Sequence, residues 1–306
     1  MPENFFTLPS FAKVNLLLRV LGKRKDGFHE LCTVFQTVSL HDNLSFSEHK
    51  KLTLTCDDKK IPTDASNLII KAAKILREKF GIKQGAKIHL QKTIPAPGGL
   101  GGGSSNAATA LVGLVQLWNI EIELEDLCEI GEKLGCDVPF FLFGGTAIGT
   151  GSGTEIFPLA DFTAKYMIIV KPHVEISTKK AFAELNAPDL TNKISKSILQ
   201  ICRDEANSLY LRQINLKNDF EKTIFKSEPE TARAKEKLFD CGAKRALMSG
   251  SGASVFGIFD NELKQQNAFN ALQTERSWRV FSVETISRLD YRNFLRFDKI
   301  LLDKDF

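Results

Sequence analysis

Residues 95–108 read Pro-Ala-Pro-Gly-Gly-Leu-Gly-Gly-Gly-Ser-Ser-Asn-Ala-Ala, and they run straight into ATALVGLVQLW at 108–118. The segment before them, AKIHLQ at 86–91, alternates like a strand, and the segment after has helical spacing. The stretch therefore reads as strand, glycine loop, helix. Residues 98–105 hold five glycines and two serines around Leu100. Glycine has no Cβ, so such a backbone can approach a ligand closely and take positive φ. Successive N–H groups can then cradle an anion, helped by the positive N-terminal end of the following helix. Ser104 and Ser105 can cap that helix or donate to a phosphate. No Gly-Lys-Ser/Thr ends the loop, so it is not a Walker A loop. No acidic residue follows about 20 positions later at a strand end, so it is a poor dinucleotide fingerprint. The competing reading is a plain flexible turn.

Outward from the loop, FAKVNLLLRVL at 11–21 reads as a strand, with Lys13 and Asn15 on one face. Asp26-Gly27 is a turn signal, and LCTVFQTVSL at 31–40 reads as the second strand of a hairpin. LSFSEHKKLTLTC at 44–56 reads as two more short strands. Asn67 opens a helical pattern that Gly81 closes. Residues 125–135 form a second short helix, and 140–159 read as strand, loop, strand. Beyond a boundary near 158–163, YMIIVKP is a strand, STKKAFAEL a capped helix, ARAKEKLFDCG a helix, and KRALMSGSGASVFGIFD a strand, glycine turn and strand. Residues 190–225 are polar and weakly patterned and read as helical, while 284–306 are charged and aromatic with no assigned role. Irregular alternation predicts an α+β fold rather than a doubly wound sheet.

Composition narrows the classes. The 306 residues are 43% hydrophobic and 25% charged, ordinary globular values. Net charge is +4, too mild to argue for nucleic acid, though an excess in one cleft would suit a small anionic ligand. No run of 18 apolar residues and no signal-peptide pattern occurs, so the expectation is a cytoplasmic protein without a membrane partner. The six cysteines fit no zinc spacing and read as reduced, buried thiols. Nothing in the sequence fixes an oligomeric state.

Asp137 follows a helix end in Leu134-Gly-Cys-Asp-Val-Pro. Alone it reads as a loop-capping carboxylate, and Lys13 alone reads as an edge-strand lysine. Together they could orient a hydroxyl, take its proton and offset charge on a transferred phosphoryl group.

Taken as a set, the motifs resemble the GHMP kinases. Residues 95–108 resemble that family's ATP-phosphate loop, and Ser249-Gly-Ser-Gly-Ala-Ser-Val-Phe256 its C-terminal glycine motif. Pro9-Ser-Phe-Ala-Lys-Val-Asn-Leu16, Asp26-Gly-Phe-His-Glu-Leu31 and Leu134-Gly-Cys-Asp-Val-Pro-Phe-Phe141 follow the family order, and the match covers about 8–260. The resemblance implies a domain like ribosomal protein S5 domain 2 over 1–158 and a ferredoxin-like domain over 159–306, with the site between them. It implies ATP with Mg²⁺ as the phosphoryl source. It implies Asp137 as base, Lys13 as active-site lysine, and Asn15 beside a methylerythritol acceptor carrying a cytidine diphosphate. Phe28 and His29 resemble the cytosine-binding pair, with Phe182 as the opposite face of the sandwich. Pro95, Gly98, Gly99, Leu100, Gly101, Gly102, Gly103, Ser104 and Ser105 would form the phosphate loop. Asn67 and Lys92 would sit on the adenine side, and Thr178, Gly250 and Gly252 on the substrate diphosphate. Other readings are a kinase for homoserine or mevalonate, or a ligand-binding member without turnover. Pro97 departs from the small residues familiar in this loop and lacks an N–H, which makes 99–105 the firmer assignment. Phe28 stands where tyrosine is commoner. The tail after about Leu289 lies beyond the resemblance.

Overall fold

The computed structural model describes residues 5–190, 200, 204 and 216–297. The expected helix over 190–225 falls mostly outside them. Two strands dominate the first half: β1 (Phe5–Lys23) and β2 (His29–His49), antiparallel from Lys23↔His29 to Phe5↔Ser47. The Asp26-Gly27 turn joins them, with Gly27 at φ 87°. β3 (Thr53–Cys56), β4 (Gly85–Gln91), β5 (Thr146–Thr150), β6 (Glu155–Pro158) and the two-residue β8 (Lys217–Asn218) complete a seven-stranded sheet. The second sheet has order β11-β7-β10-β9, from β7 (Met167–Pro172), β9 (Arg245–Met248), β10 (Val255–Ile258) and β11 (Trp278–Val283). Every pairing in it is antiparallel. With its intervening helices this is the ferredoxin-like order, and the α+β expectation holds.

Helices cover the sheets. α1 (Leu68–Phe80) begins where Asn67 Oδ1 accepts from the Ile69 N–H at 2.9 Å and ends at Gly81, φ 64°. α2 (Gly102–Leu117) is apolar almost all round and correspondingly buried. Gly113 lets it press on Phe46, whose ring atoms lie 2.4 Å from where a Cβ would sit. α3 (Leu124–Leu134), α4 (Phe140–Phe143) and α5 (Thr178–Leu185) follow, then α6 (Glu221–Ser227), α7 (Pro229–Asp240), α8 (Glu262–Leu272) and α9 (Arg288–Leu295).

Strand alternation divides the core. Met167, Ile169, Leu247 and Phe256 of the second sheet pack toward Ala12, Val14, Leu16 and Val34 of the first. Ile168, Val170, Met248 and Val255 face the helices on the other side. Each buried Val, Leu, Ile, Met or Phe among them contributes ~1.5–3 kcal/mol of transfer free energy.

Several expectations are corrected. Residues 44–49 continue β2 rather than forming a separate strand, since Leu44 and Phe46 keep its alternation. Residues 140–143 are a helical turn, not a strand, because Pro139 starts it and all of Phe140, Phe141 and Leu142 are buried. Cys56, Cys128, Cys136 and Cys241 are free thiols, but buried Cys32 is disulfide-bonded, against the expectation of reduced cysteines throughout. The tail has a role: Tyr291, Leu295 and Phe297 are buried against the first core, and Tyr291 Oη donates to the Phe141 carbonyl at 2.5 Å.

Candidate active site

A cleft of about 830 Å³ opens between the β1–β2 hairpin, the 95–104 loop, the turn after α3 and the 249–252 loop. The Lys13 side chain lines it. Lys13 Nζ donates to Asn15 Oδ1 at 2.7 Å and to the Gly99 carbonyl at 3.1 Å, and lies 3.5 Å from Asp137 Oδ2. Lys13 is buried, whereas the Asp137 side chain is about one-third exposed to the cleft. The strand places Lys13 and Asn15 on one face, as the period of two requires. The Gly135 break and Pro139 turn the chain so that Asp137 meets them.

The two glycine loops interlock beside this lysine. Gly99 has φ 72°, and a Cβ there would lie 2.2 Å from the Ser249 carbonyl oxygen. Ser249 Oγ donates to the Gly99 carbonyl at 2.9 Å, and the Ser254 N–H donates to that of Gly98 at 3.2 Å. The Gly250 N–H donates to Asn15 Oδ1 at 2.9 Å. Gly101, φ 71°, is the N-cap of α2 and has no side chain to block the helix end. A Cβ on Gly103 would meet nothing within 4 Å, so the first turn of α2 faces open cleft. The leading N–H groups of that helix lack intrahelical acceptors by geometry. Ser104 Oγ points toward Gly135, beside Asp137. Lys23 and Lys179 also line the cleft, which gives it the basic bias an anionic ligand needs.

At the far end sit Phe28 and His29. The Phe28 ring is 56% exposed at the cleft edge, so an apolar face is presented to solvent. Its loop is stiffened by Asp26, whose Oδ1 accepts from the Phe28 N–H at 3.0 Å and whose Oδ2 accepts from Arg24 Nε. Those bonds, the backbone one first, hold the Asp26 carboxyl below its usual range. His29 stacks on Phe182 at 4.8 Å and 25°, and Phe182 meets Phe220 edge-on. Burial first, and the Lys23 charge second, lower the His29 pKa, so the neutral ring is favoured. Phe182 therefore backs His29 rather than standing across an open slot from Phe28. Thr178 Oγ1 reaches Ser251 Oγ at 3.1 Å, joining α5 to the 249–252 loop.

The cleft thus gathers Lys13, Asn15, Phe28, His29, Pro95, Gly98 to Ser104, Asp137, Thr178, Phe182 and Gly250. Four expected residues lie off its walls. Asn67 is spent on capping α1 and on the Pro62 carbonyl, although its neighbour Leu68 lines the cleft. Lys92 is in a buried ion pair with Asp42 at 2.9 Å. Ser105 is buried against Ser10 Oγ at 2.8 Å. Gly252 turns inward, where a Cβ would meet Met248 Sδ at 2.9 Å.

Sequence reasoning missed Asn218. It is buried and donates to the Met248 and Gly250 carbonyls at 2.7 and 2.8 Å, holding the second glycine loop from β8. A lone asparagine in a polar stretch gave no signal. Cys136 was also missed; it lines the cleft, and burial pushes its thiol pKa up. Among the described residues no group of three or more metal-ligating side chains exists, and no helix is long and apolar enough to cross a membrane.

Comparison with known proteins agrees with this geometry. Residues 67–145 match the model for the GHMP kinases N terminal domain, and 201–276 match that for the GHMP kinases C terminal. The chain is 39% identical over 295 residues to a 4-diphosphocytidyl-2-C-methyl-D-erythritol kinase of Solibacter usitatus, covering 94% of this chain and 91% of that one. It is 37% identical over 274 residues to the enzyme of the same name from Thermoanaerobacter pseudethanolicus, covering 89% and 94%. A crystal structure of 4-(cytidine 5'-diphospho)-2C-methyl-D-erythritol kinase superposes with TM-score 0.75 at 31% identity, over 92% of this chain and 99% of that one. A homoserine kinase from Cytophaga hutchinsonii shares the fold, with TM-score 0.65 at 22% identity, over 94% and 96%.

Proposed function

The chain belongs to the GHMP kinases, and we propose that it transfers the γ-phosphoryl group of ATP to the 2-hydroxyl of 4-diphosphocytidyl-2-C-methyl-D-erythritol, a step of non-mevalonate isoprenoid precursor synthesis. One observation carries the reading. The Lys13–Asp137 pair, the glycine-lined end of α2 and the Phe28–His29 edge share one cleft. A kinase for a bare alcohol such as homoserine has no use for that aromatic edge.

The residues divide the work by position. Amides at the start of α2 receive the triphosphate, where the helix end favours negative charge. Asp137 accepts a hydrogen bond from the acceptor hydroxyl and orients it. As the new P–O bond forms and the bond to ADP breaks, the hydroxyl proton passes to that carboxylate. Lys13, fixed by Asn15 and Gly99, stands beside that carboxylate and offsets charge developing on the phosphoryl oxygens. Asn15 is committed to Lys13, Thr33 and the Gly250 amide, so its first task is to aim the lysine. Phe28 supplies a stacking face for cytosine, and neutral His29 a hydrogen-bonding edge.

Mg²⁺ fits this cleft as a passenger of the nucleotide. The oxygen groups facing the phosphate end are the Asp137 carboxylate and the Ser104 hydroxyl, and Mg²⁺ commonly takes one or two protein oxygens plus substrate phosphates. Bound there it would neutralise charge on the β and γ oxygens.

Steady-state assays with ATP and a panel of alcohols test the proposal. Turnover of the cytidyl substrate with little of homoserine or mevalonate is expected. The reverse preference would refute it.

A further inference from the structure

Asp42, on β2, is fully buried, yet its carboxylate accepts five hydrogen bonds. Oδ1 takes the Thr93 and Ile94 N–H groups at 2.6 and 2.7 Å. These residues lead directly into the 95–101 loop. Oδ2 takes Asn106 Nδ2 at 2.9 Å, from the beginning of α2 on the far side of that loop. Lys92 Nζ bridges both oxygens at 3.2 and 2.9 Å and also donates to the Ile94 carbonyl. Asn106 Nδ2 further reaches Ser10 Oγ at 2.9 Å, and Ser10 pairs with Asp42 across the β1–β2 ladder. One carboxylate therefore closes the neck of the glycine loop, one oxygen on the entry and the other on the exit. A carboxylate has about four lone-pair sites, so this one is saturated. The Lys92 ammonium lies beneath the helix end, 3.4 Å from where a Gly102 Cβ would sit.

We propose that Asp42, with Lys92, is a positioning residue for the nucleotide. It sets the spacing between the two ends of the loop and so aims the α2 amides at the phosphates, without touching the ligand. This rests on reading 95–105 as the ATP-phosphate loop. An amide in its place offers one acceptor oxygen and one NH2 group that only donates. It could hold the entry amides but would turn an N–H on Asn106 and Lys92, so Asp42→Asn opens the neck.

The test separates positioning from folding and from the reaction assignment. With the unsubstituted protein turning over ATP and the cytidyl substrate, Asp42→Asn is expected to raise the KM for ATP ~10–100-fold, since a 1 Å misplacement of binding groups costs that order. The KM for the cytidyl substrate should stay within ~2-fold, because Phe28 and His29 sit at the other end. The Asp42→Asn/Asn106→Asp double variant, which rebuilds the exit contact with donor and acceptor exchanged, should recover most of the ATP KM. An unchanged ATP KM in folded Asp42→Asn would overturn the proposal, as would an equal rise for both ligands. If the single variant does not fold, the double variant decides. Folded protein with near-normal ATP KM supports the role, and loss for both ligands alike overturns it. Failure of the unsubstituted protein to use the cytidyl substrate would count against the reaction assignment alone. Calorimetric ADP affinity of Asp42→Asn then decides on the loop, a loss supporting the role and an unchanged affinity overturning it.

Discussion

Lys13 Nζ and Asp137 Oδ2 stand 3.5 Å apart, the first buried and the second open to the cleft. That asymmetry suits a lysine that is held and a carboxylate that meets a ligand. Asp137→Asn keeps the shape and removes the charge and proton acceptor. We expect kcat to fall ~10²–10⁴-fold, the range for a lost general base, with both KM values within a few-fold. Steady-state kinetics check this, and an unchanged kcat would remove Asp137 from the chemistry.

Phe28→Ala deletes an exposed face and leaves the phosphate loop untouched. Loss of base stacking is worth ~1–3 kcal/mol, so the KM for the cytidyl substrate should rise ~5–150-fold. The KM for ATP should hold. Equal losses for both would contradict this division of the cleft.

His29 carries a pKa below its ordinary value, mainly through burial. A depressed histidine is penalised when protonated, so the favourable neutral state is complete above the ordinary value of about 6.5 and is lost progressively as pH falls below it. The ratio of cytidyl-substrate KM to ATP KM should climb as pH drops below about 6. The climb should flatten in His29→Gln. An identical profile in that variant would assign the pH dependence elsewhere.

How much of this was legible in sequence depends on how local each signal is. Lys13 and Asn15 could be placed together because a strand alternates, and the 98–105 loop because five glycines before a helix leave few alternatives. The ion pair of Lys92 was hidden, because its partner Asp42 lies 50 residues away across the β2–β4 pairing. The cap role of Asn67 was readable, and the structure shows that this role uses its side chain. Asn218 was invisible because a two-residue parallel strand carries no periodicity. The tail was unreadable because only Tyr291 and Leu295 of the four apolar residues of α9 are buried, Leu289 and Phe294 being exposed, and those two settle on a surface made elsewhere.

Tyr291 gives a stability prediction. Its buried hydroxyl holds the Phe141 carbonyl, four residues from Asp137. Tyr291→Phe leaves that carbonyl unpaired and should cost ~1–3 kcal/mol by denaturant unfolding. Tyr291→Ala adds a cavity and should cost ~3–5 kcal/mol, as for other large aromatic truncations. A neutral Tyr291→Ala would mean that α9 contributes nothing to holding the first core.

Gly99→Ala tests the interlocked loops. The new Cβ would fall 2.2 Å from the Ser249 carbonyl oxygen at φ 72°, so the loops must part. Activity should drop at least ~10²-fold, the order a 1 Å displacement costs. Gly103→Ala, with open space at its Cβ, should fold normally and be read by ATP KM alone.

A crystal structure with an unreactive ATP analogue and the cytidyl substrate tests the central claim most directly. We predict the acceptor 2-hydroxyl within ~2.6–3.2 Å of the Asp137 carboxylate, with the terminal phosphate on the first turn of α2 and cytosine against Phe28. A nucleotide bound away from that helix end, or an acceptor oxygen facing away from Asp137, would contradict it.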